Sequence, residues 1–271
     1  MNAAALPVLM YHHVTPNAGL VTVSPATFRA QMAWLARHGY RGITCRDLEK
    51  FLDGEPLPKK SVLITFDDGY LDNYVYAHPV LQKLGLHGVI FLVTGWIGES
   101  QPRRHAAMGG DLPDCPNHRD ATAYIGSGQA DRAMLRWSEV AAMQAAGTFE
   151  FHSHTHTHTR WDKTIADPAA RRTALAADLA ESRATLARHT GESPHLCWPQ
   201  GYFDDDYKRV AGEAGFRYLY TVHKGINTPA TAADDINRIV VKDRVGAWFA
   251  SRMFLYRQPT IGGLYVRLRG D

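Results

Sequence analysis

The chain has 271 residues, 45% of them hydrophobic and 21% charged, with a net charge of +3. That length suits one large domain or two small ones with ample material for a core, and the charge is too weak to imply a nucleic-acid partner. Three scattered cysteines, Cys45, Cys115 and Cys197, exclude a disulfide framework and form no Cys-x-x-Cys pair, and no apolar run approaches the roughly 18 residues of a membrane span.

The N-terminus has no basic segment and reaches Pro7 almost at once, so no signal peptide is predicted and the expected location is the cytoplasm. A first strand is predicted over residues 7–12, where Val8-Leu9-Met10-Tyr11 ends in His12-His13. Ser24-Pro25 opens a helix whose apolar stripe is Phe28, Met32 and Leu35, and Gly39 closes it. Residues 40–44 read as a short strand and 46–52 as a short helix. Ser61-Val-Leu-Ile-Thr-Phe66 is a buried strand that ends abruptly in Asp67-Asp68-Gly69-Tyr70. A helix to Leu84, kinked at Pro79, and a strand over residues 88–93 follow. Residues 98–135 are rich in Gly, Pro, Asp and His and show no periodicity, so they are expected to form a functional insertion or lid within a single 1–271 domain. Helices are predicted over 137–146, 168–189 and 204–214, and strands over 148–152, 195–198, 216–222 and 236–241. Strand and helix alternate throughout, which predicts an α/β fold with a parallel sheet. No Gly-x-Gly-x-x-Gly follows a strand, so a dinucleotide site is unsupported.

The polar residues that matter follow the ends of separate apolar strands: His12-His13, Asp67-Asp68, His154 and Pro199-Gln200-Gly201. In a parallel barrel those ends share one face. Two adjacent carboxylates at a buried strand end repel each other and are costly to desolvate, and a bound cation is the usual compensation. The second cluster, His152-Ser-His154-Thr-His156-Thr-His158, places four histidines within seven residues. His154 and His158, four apart, would share a face on a helical turn. His154 with His156, or His152 with His154, would do so only on an extended strand. The preferred ligand set is the four-apart pair with one carboxylate of Asp67-Asp68, and the bland alternative is a metal-sticky polar tract. Cys115, His105 and His118 in the insertion match no zinc spacing.

Thr65-Phe66-Asp67-Asp68-Gly69-Tyr70 together with Ser153-His154-Thr155-His156-Thr157-His158 resembles the polysaccharide deacetylase family, also called the NodB-homology domain or carbohydrate esterase family 4. Tyr11-His12-His13-Val14 resembles the opening motif of its poly-N-acetylglucosamine deacetylase branch, and Trp198-Pro199-Gln200-Gly201-Tyr202 lies where the third family motif does. The resemblance implies a distorted (β/α) barrel, commonly seven-stranded, and metal-dependent removal of acetyl groups from a glycan. It implies that Asp67 is the general base, that Asp68, His154 and His158 hold the metal, and that the Gln200 backbone N–H is an oxyanion donor. Zinc is the expected ion; cobalt, nickel and manganese suit the same donors. Tyr70, Trp198, Pro199 and Tyr202 are the expected substrate-binding residues.

Two features depart from the family pattern. Leu196-Cys197-Trp198 stands where an arginine usually orients the base. Arg238 is a substitute for it, a surface arginine being the competing reading. No Leu-x-His near the C-terminus supplies the usual acid, so His12, His13 and His223 are the candidates, with His12 preferred as acid or as an orienting residue for the carboxylates. The expected substrate is an N-acetylhexosamine glycan of the bacterial envelope, either an exopolysaccharide or a lipid-linked or lipopolysaccharide core sugar. The rivals are an O-acetyl (xylan-type) esterase and a non-catalytic glycan-binding module of the same fold. Arg252, Arg257, Arg267 and Arg269, interleaved with apolar residues, form a basic amphipathic tail suited to an anionic membrane surface or, alternatively, to packing on the barrel.

Overall fold

Strands buried on both faces carry two apolar sets, one for each side of the sheet. In the computed structural model, which describes residues 2–269 apart from the Arg269 side chain, the division is clean. Seven parallel strands run β1 (Val8–Tyr11), β2 (Ser61–Phe66), β3 (Gly88–Leu92), β4 (Phe149–Ser153), β5 (His195–Cys197), β6 (Tyr218–Tyr220) and β7 (Ile239–Val240). Their order in the sheet is β7-β1-β2-β3-β4-β5-β6, with the short strand Arg41–Gly42 also paired to β2. Val62, Ile64 and Phe66 of β2 face the helices, as do Ile90 and Leu92 of β3 and Phe149 and Phe151 of β4. Leu63, Val89, Phe91, Cys197, Tyr218 and Tyr220 face the opposite way and fill the inside of the curl. A parallel bridge between Tyr220 and Ile236, just before β7, brings the two ends of the sheet together. The result is the distorted (β/α) barrel expected.

The helices α1 (Pro25–Arg37), α2 (Cys45–Leu52), α3 (His78–Leu84), α4 (His118–Gly126), α5 (Trp137–Ala145), α6 (Trp161–Thr164), α7 (Pro168–His189), α8 (Asp205–Glu213), α9 (Ala247–Leu255) and α10 (Pro259–Arg269) surround it. Ser24 caps α1 by accepting from Thr27 N–H, with Pro25 in the first turn. Thr44 and Asp47 form a capping box that starts α2 at Cys45. The helix expected after Tyr70 is divided, with a π-turn over Asn73–Ala77 preceding α3, where Pro79 lacks the N–H a continuous helix would use. The aperiodic 98–135 stretch contains α4, which its short, polar text concealed. Its two ends are tied by a bridge between Gly98 and Arg136, and buried Glu139 holds Arg103 through both carboxylate oxygens at 2.8 Å. No described helix is long and apolar enough to cross a membrane.

Candidate functional site

Inward parity on β2 runs Leu63, Thr65, Asp67, so the first carboxylate leaves the strand pointing into the barrel mouth. Asp68 would point outward if the strand continued. Instead it takes a left-handed backbone (φ 74), and Gly69 follows at φ 87. A Cβ on Gly69 would stand 2.6 Å from Leu92 Cδ2, so only glycine allows this turn. The turn aims both carboxylates inside, where they are almost wholly buried.

Arg238 answers the charge of Asp67. Its side chain is 1% exposed, which removes the surface reading, and its guanidinium forms a fork on the carboxylate at 2.7 and 2.9 Å. The same guanidinium donates to the Thr221 carbonyl at 2.8 Å, which fixes its plane. Burial would raise the Asp67 pKa, but the Arg238 charge and then His12 hold it below the usual carboxylate range. His12 Nε2 lies 3.6 Å from Asp67 Oδ2. Burial lowers the His12 pKa, and the two aspartates counter part of that shift.

β4 supplies the histidines. Glu150 and His152 face inward on the strand, and His154 continues that parity just past its end. The helical turn expected over 154–158 is not formed. Thr155 (φ 65) and His158 (φ 60) adopt left-handed backbones in an irregular loop. Such conformations cost on the order of 1 kcal/mol each, and hydrogen bonds from outside the loop sustain them. Buried Asp178 of α7 accepts from His156 N–H at 2.8 Å, Thr157 N–H at 2.9 Å and Trp161 Nε1–H at 2.9 Å. His156 turns away, 3.0 Å from Thr94 Oγ1. Nothing in the local text around the histidines announces Asp178, which lies 20 residues downstream of His158 in the middle of a long helix.

The loop brings His154 Nε2 to 3.2 Å and His158 Nε2 to 3.4 Å from Asp68 Oδ1. His154 Nδ1 donates to the Cys197 carbonyl at 2.7 Å, which turns Nε2 toward the carboxylate, where it carries either a proton or an ion. Asp68 Oδ1 is buried and has no hydrogen-bond partner among the described residues. Acceptors that converge in this way repel one another unless a cation lies between them. Two nitrogens and an oxygen at about 2.0–2.2 Å from a tetrahedral ion stand about 3.3–3.6 Å apart, close to the spacing seen. Asp68, His154 and His158 therefore fit a divalent ion. Asp67, His154 and Cys197 are a second close trio, but Asp67 is already committed to Arg238.

These groups line a cavity of about 320 Å³ at the strand ends, together with His12, Trp198, Gln200, Val222 and Arg238. Gln200 is in the left-handed region (φ 54, ψ 16), and its backbone N–H has no acceptor among the described residues. His118 of α4 also reaches the cavity wall, 3.3 Å from the Tyr70 hydroxyl. The 98–135 insertion thus does touch the site, through a histidine that spacing alone did not single out. A larger cleft of about 490 Å³ between α1 and α3 has no histidine or carboxylate in its lining.

Of the expected substrate-binding residues, Trp198 alone is in the cavity lining. Trp198 is 1% exposed and packs in the core with Phe203, near-parallel to it, and with Tyr207, tilted to it, so its faces are not free for a pyranose. Tyr70 is buried beneath His13, ring centroids 3.6 Å apart, and Pro199 is buried too. Tyr202 is not among the cavity residues, and the Arg160 guanidinium covers its ring at 3.9 Å. The two other acid candidates are bound elsewhere: His13 Nδ1 to Asp72 at 2.7 Å, and His223 Nδ1 to Asp235 at 2.9 Å.

Comparison with known proteins points the same way. The family model described as polysaccharide deacetylase matches residues 54–219. The chain is 24% identical over 250 residues to the poly-beta-1,6-N-acetyl-D-glucosamine N-deacetylase of Escherichia coli (strain K12), covering 86% of this chain and 36% of that protein. It is 26% identical over 227 residues to the enzyme of the same name from Staphylococcus aureus (strain MSSA476), covering 82% of this chain and 68% of that one. It thus spans about a third of the length of the first of these relatives. The fold matches that of IcaB from Ammonifex degensii with a TM-score of 0.72 at 24% identity, covering 95% of this chain and 99% of that one.

Proposed function

The chain belongs to the polysaccharide deacetylase family, and from that premise we propose that it hydrolyses the N-acetyl group of N-acetylglucosamine residues in a poly-β-1,6-linked envelope glycan, with a divalent ion held by Asp68, His154 and His158. The observation that carries this reading is the division of labour between adjacent aspartates. Asp67 is neutralised by a guanidinium, whereas Asp68 Oδ1 has no hydrogen-bond partner among the described residues and lies 3.2 and 3.4 Å from the Nε2 atoms of His154 and His158. When bound, a divalent ion of the zinc type supplies an acidified water and a positive charge for the amide oxygen.

The chain's own residues do the rest. Asp67, ionised at neutral pH and fixed in orientation by Arg238, accepts the proton of the attacking water. The Gln200 N–H donates to the oxyanion that forms as the carbonyl carbon becomes tetrahedral. When the C–N bond breaks, the nitrogen must gain a proton, because an amide anion is a very poor leaving group. His12 Nε2, 3.6 Å from Asp67 Oδ2 and open to the cavity, passes the proton taken up by Asp67 to that nitrogen. The products are acetate and the free amine. An O-acetyl ester would use the same site with less need of His12, since an alkoxide leaves more easily. Amine release from N-acetylglucosamine oligomers, measured beside acetate release from acetylated xylan, separates the two. The reading predicts the first to dominate, and turnover of xylan alone would contradict it.

The C-terminal helices bear on where such a substrate is met. α9 buries Phe249 and Met253 against the barrel, and Tyr265 engages Arg252, so one face packs as the bland reading expected. Phe254, Ile261, Leu264 and Leu268 remain about half or more exposed beside Arg267. The Arg269 side chain lies outside the described residues. An apolar ridge flanked by arginine suits peripheral contact with an anionic bilayer. Salt-sensitive binding to anionic vesicles, absent with neutral ones, is the expected result, and equal binding to both would remove this part.

A further inference from the structure

At the opposite end of the barrel a second set of metal-type donors converges, and nothing in the deacetylation chemistry uses it. Cys45 Sγ, a Glu150 carboxylate oxygen and a His152 ring nitrogen all lie within 4.8 Å of one another. Cys45 opens α2, while Glu150 and His152 are the two inward residues of β4 below His154. Alternate residues of a strand advance roughly 7 Å, so this cluster sits well beneath the catalytic mouth.

Cys45 Sγ lies 3.3 Å from the Tyr220 hydroxyl and Glu150 Oε1 accepts from the Cys45 N–H, but the hydrogen bonding of the histidine is incomplete. His152 is 8% exposed, and its Nε2 is buried with no hydrogen-bond partner among the described residues. That nitrogen lies 3.7 Å from Glu150 Oε2, too far for a hydrogen bond. His152 Nδ1 is engaged by Ser193 Oγ at 2.6 Å, which orients the ring. On the other side of the carboxylate, His87 Nε2 is also buried and unpartnered, 3.7 Å from Glu150 Oε1. His87 Nδ1 donates to the Gly147 carbonyl at 3.1 Å, and Glu150 raises the pKa of this ring against the effect of burial, so His87 serves the carboxylate as a charged partner and not the ion as a ligand. A neighbouring histidine shows the contrast. His195 spends both nitrogens, on Glu49 at 2.8 Å and on the Tyr220 hydroxyl at 3.2 Å, and offers nothing to an ion.

We propose that Cys45, Glu150 and His152 form a second divalent-metal site at the base of the barrel. One thiolate, one carboxylate and one imidazole are a borderline-soft donor set of the kind that selects zinc over magnesium or calcium. The 3.7 Å between His152 Nε2 and Glu150 Oε2 is that of neighbouring N and O ligands on one ion, and Cys45 Sγ lies within 4.8 Å of both residues' donor atoms. Three protein donors from two elements tie α2 to β4, and the ion's role is structural because the cluster lies away from the catalytic mouth. Glu150 remains partly exposed and provides the path of entry. The competing occupant is a proton on His152, pairing it with Glu150 and needing no metal.

Cobalt loading of the full chain tests the site. The wild type is expected to take up two equivalents of Co2+ and to show a near-ultraviolet thiolate-to-cobalt band. Cys45→Ser is expected to bind one equivalent and lose the band, and Cys197→Ser, which alters the thiol beside Asp67, to keep it. A single equivalent in the wild type, or a band that survives Cys45→Ser and disappears in Cys197→Ser, would overturn the proposal. Should Cys45→Ser fail to fold, the wild-type stoichiometry and the band of Cys197→Ser decide it without that variant.

Discussion

At the scale of single residues, the site separates into groups legible from neighbours in sequence and groups supplied from far away. Asp67 and Asp68 stood out because a buried strand has no other reason to end in two carboxylates. Arg238 was only one reading among two, because its fork on Asp67 spans 171 positions and no local pattern marks it. Trp198 and Tyr70 read as substrate-binding residues because exposed and buried aromatics look alike in a sequence. His12 offers the sharpest test at this scale. If it carries the proton to the leaving nitrogen, His12→Ala lowers kcat on an N-acetyl substrate about 10²-fold or more while sparing an activated aryl acetate, whose leaving group needs no proton. Equal losses on both substrates would make it a structural partner of Asp67 instead.

At the scale of elements, the alternation of strands and helices was readable because doubly buried strands are apolar runs and their helices carry caps. The histidine loop was not. Its geometry depends on left-handed residues at Thr155 and His158 and on a carboxylate from the middle of α7. Asp178→Ala removes the acceptor of two backbone amides and an indole N–H, each buried group left unpaired costing about 1–3 kcal/mol. Because the loop then no longer presents His158, metal affinity is expected to fall about 10–100-fold, as for other residues that orient ligands. A competition titration with a chromogenic chelator reads this directly, and unchanged affinity would show that the loop holds its shape without Asp178.

At the scale of the whole molecule, strand parity explains why one end of the barrel is chemical. Inward residues on β2 and β4 lead from the apolar interior to Asp67 and His154, so the fold itself brings a base and a metal ligand together from 87 positions apart. The same polar interior sets the response to acid. Burial pushes His78 and His195 down to about 4, whereas an unfolded histidine titrates near 6.5. Between those values the unfolded chain binds more protons, so stability is full above about pH 6.5 and declines as the pH falls toward 4, by up to about 3 kcal/mol per histidine. Urea unfolding at pH 7.5 and 5 is expected to show the lower midpoint at pH 5, with His78→Gln/His195→Gln narrowing the gap; equal midpoints for the wild type would contradict it. The central claim is that adjacent carboxylates do different work, one holding the ion and the other moving the proton. The most direct measurement is amine release from β-1,6-linked N-acetylglucosamine oligomers by wild type and Asp67→Asn, with bound metal counted in both. The account predicts a loss of about 10²–10⁴-fold at unchanged metal content at the mouth; comparable turnover by the two proteins, or loss of the ion with Asp67, would contradict it.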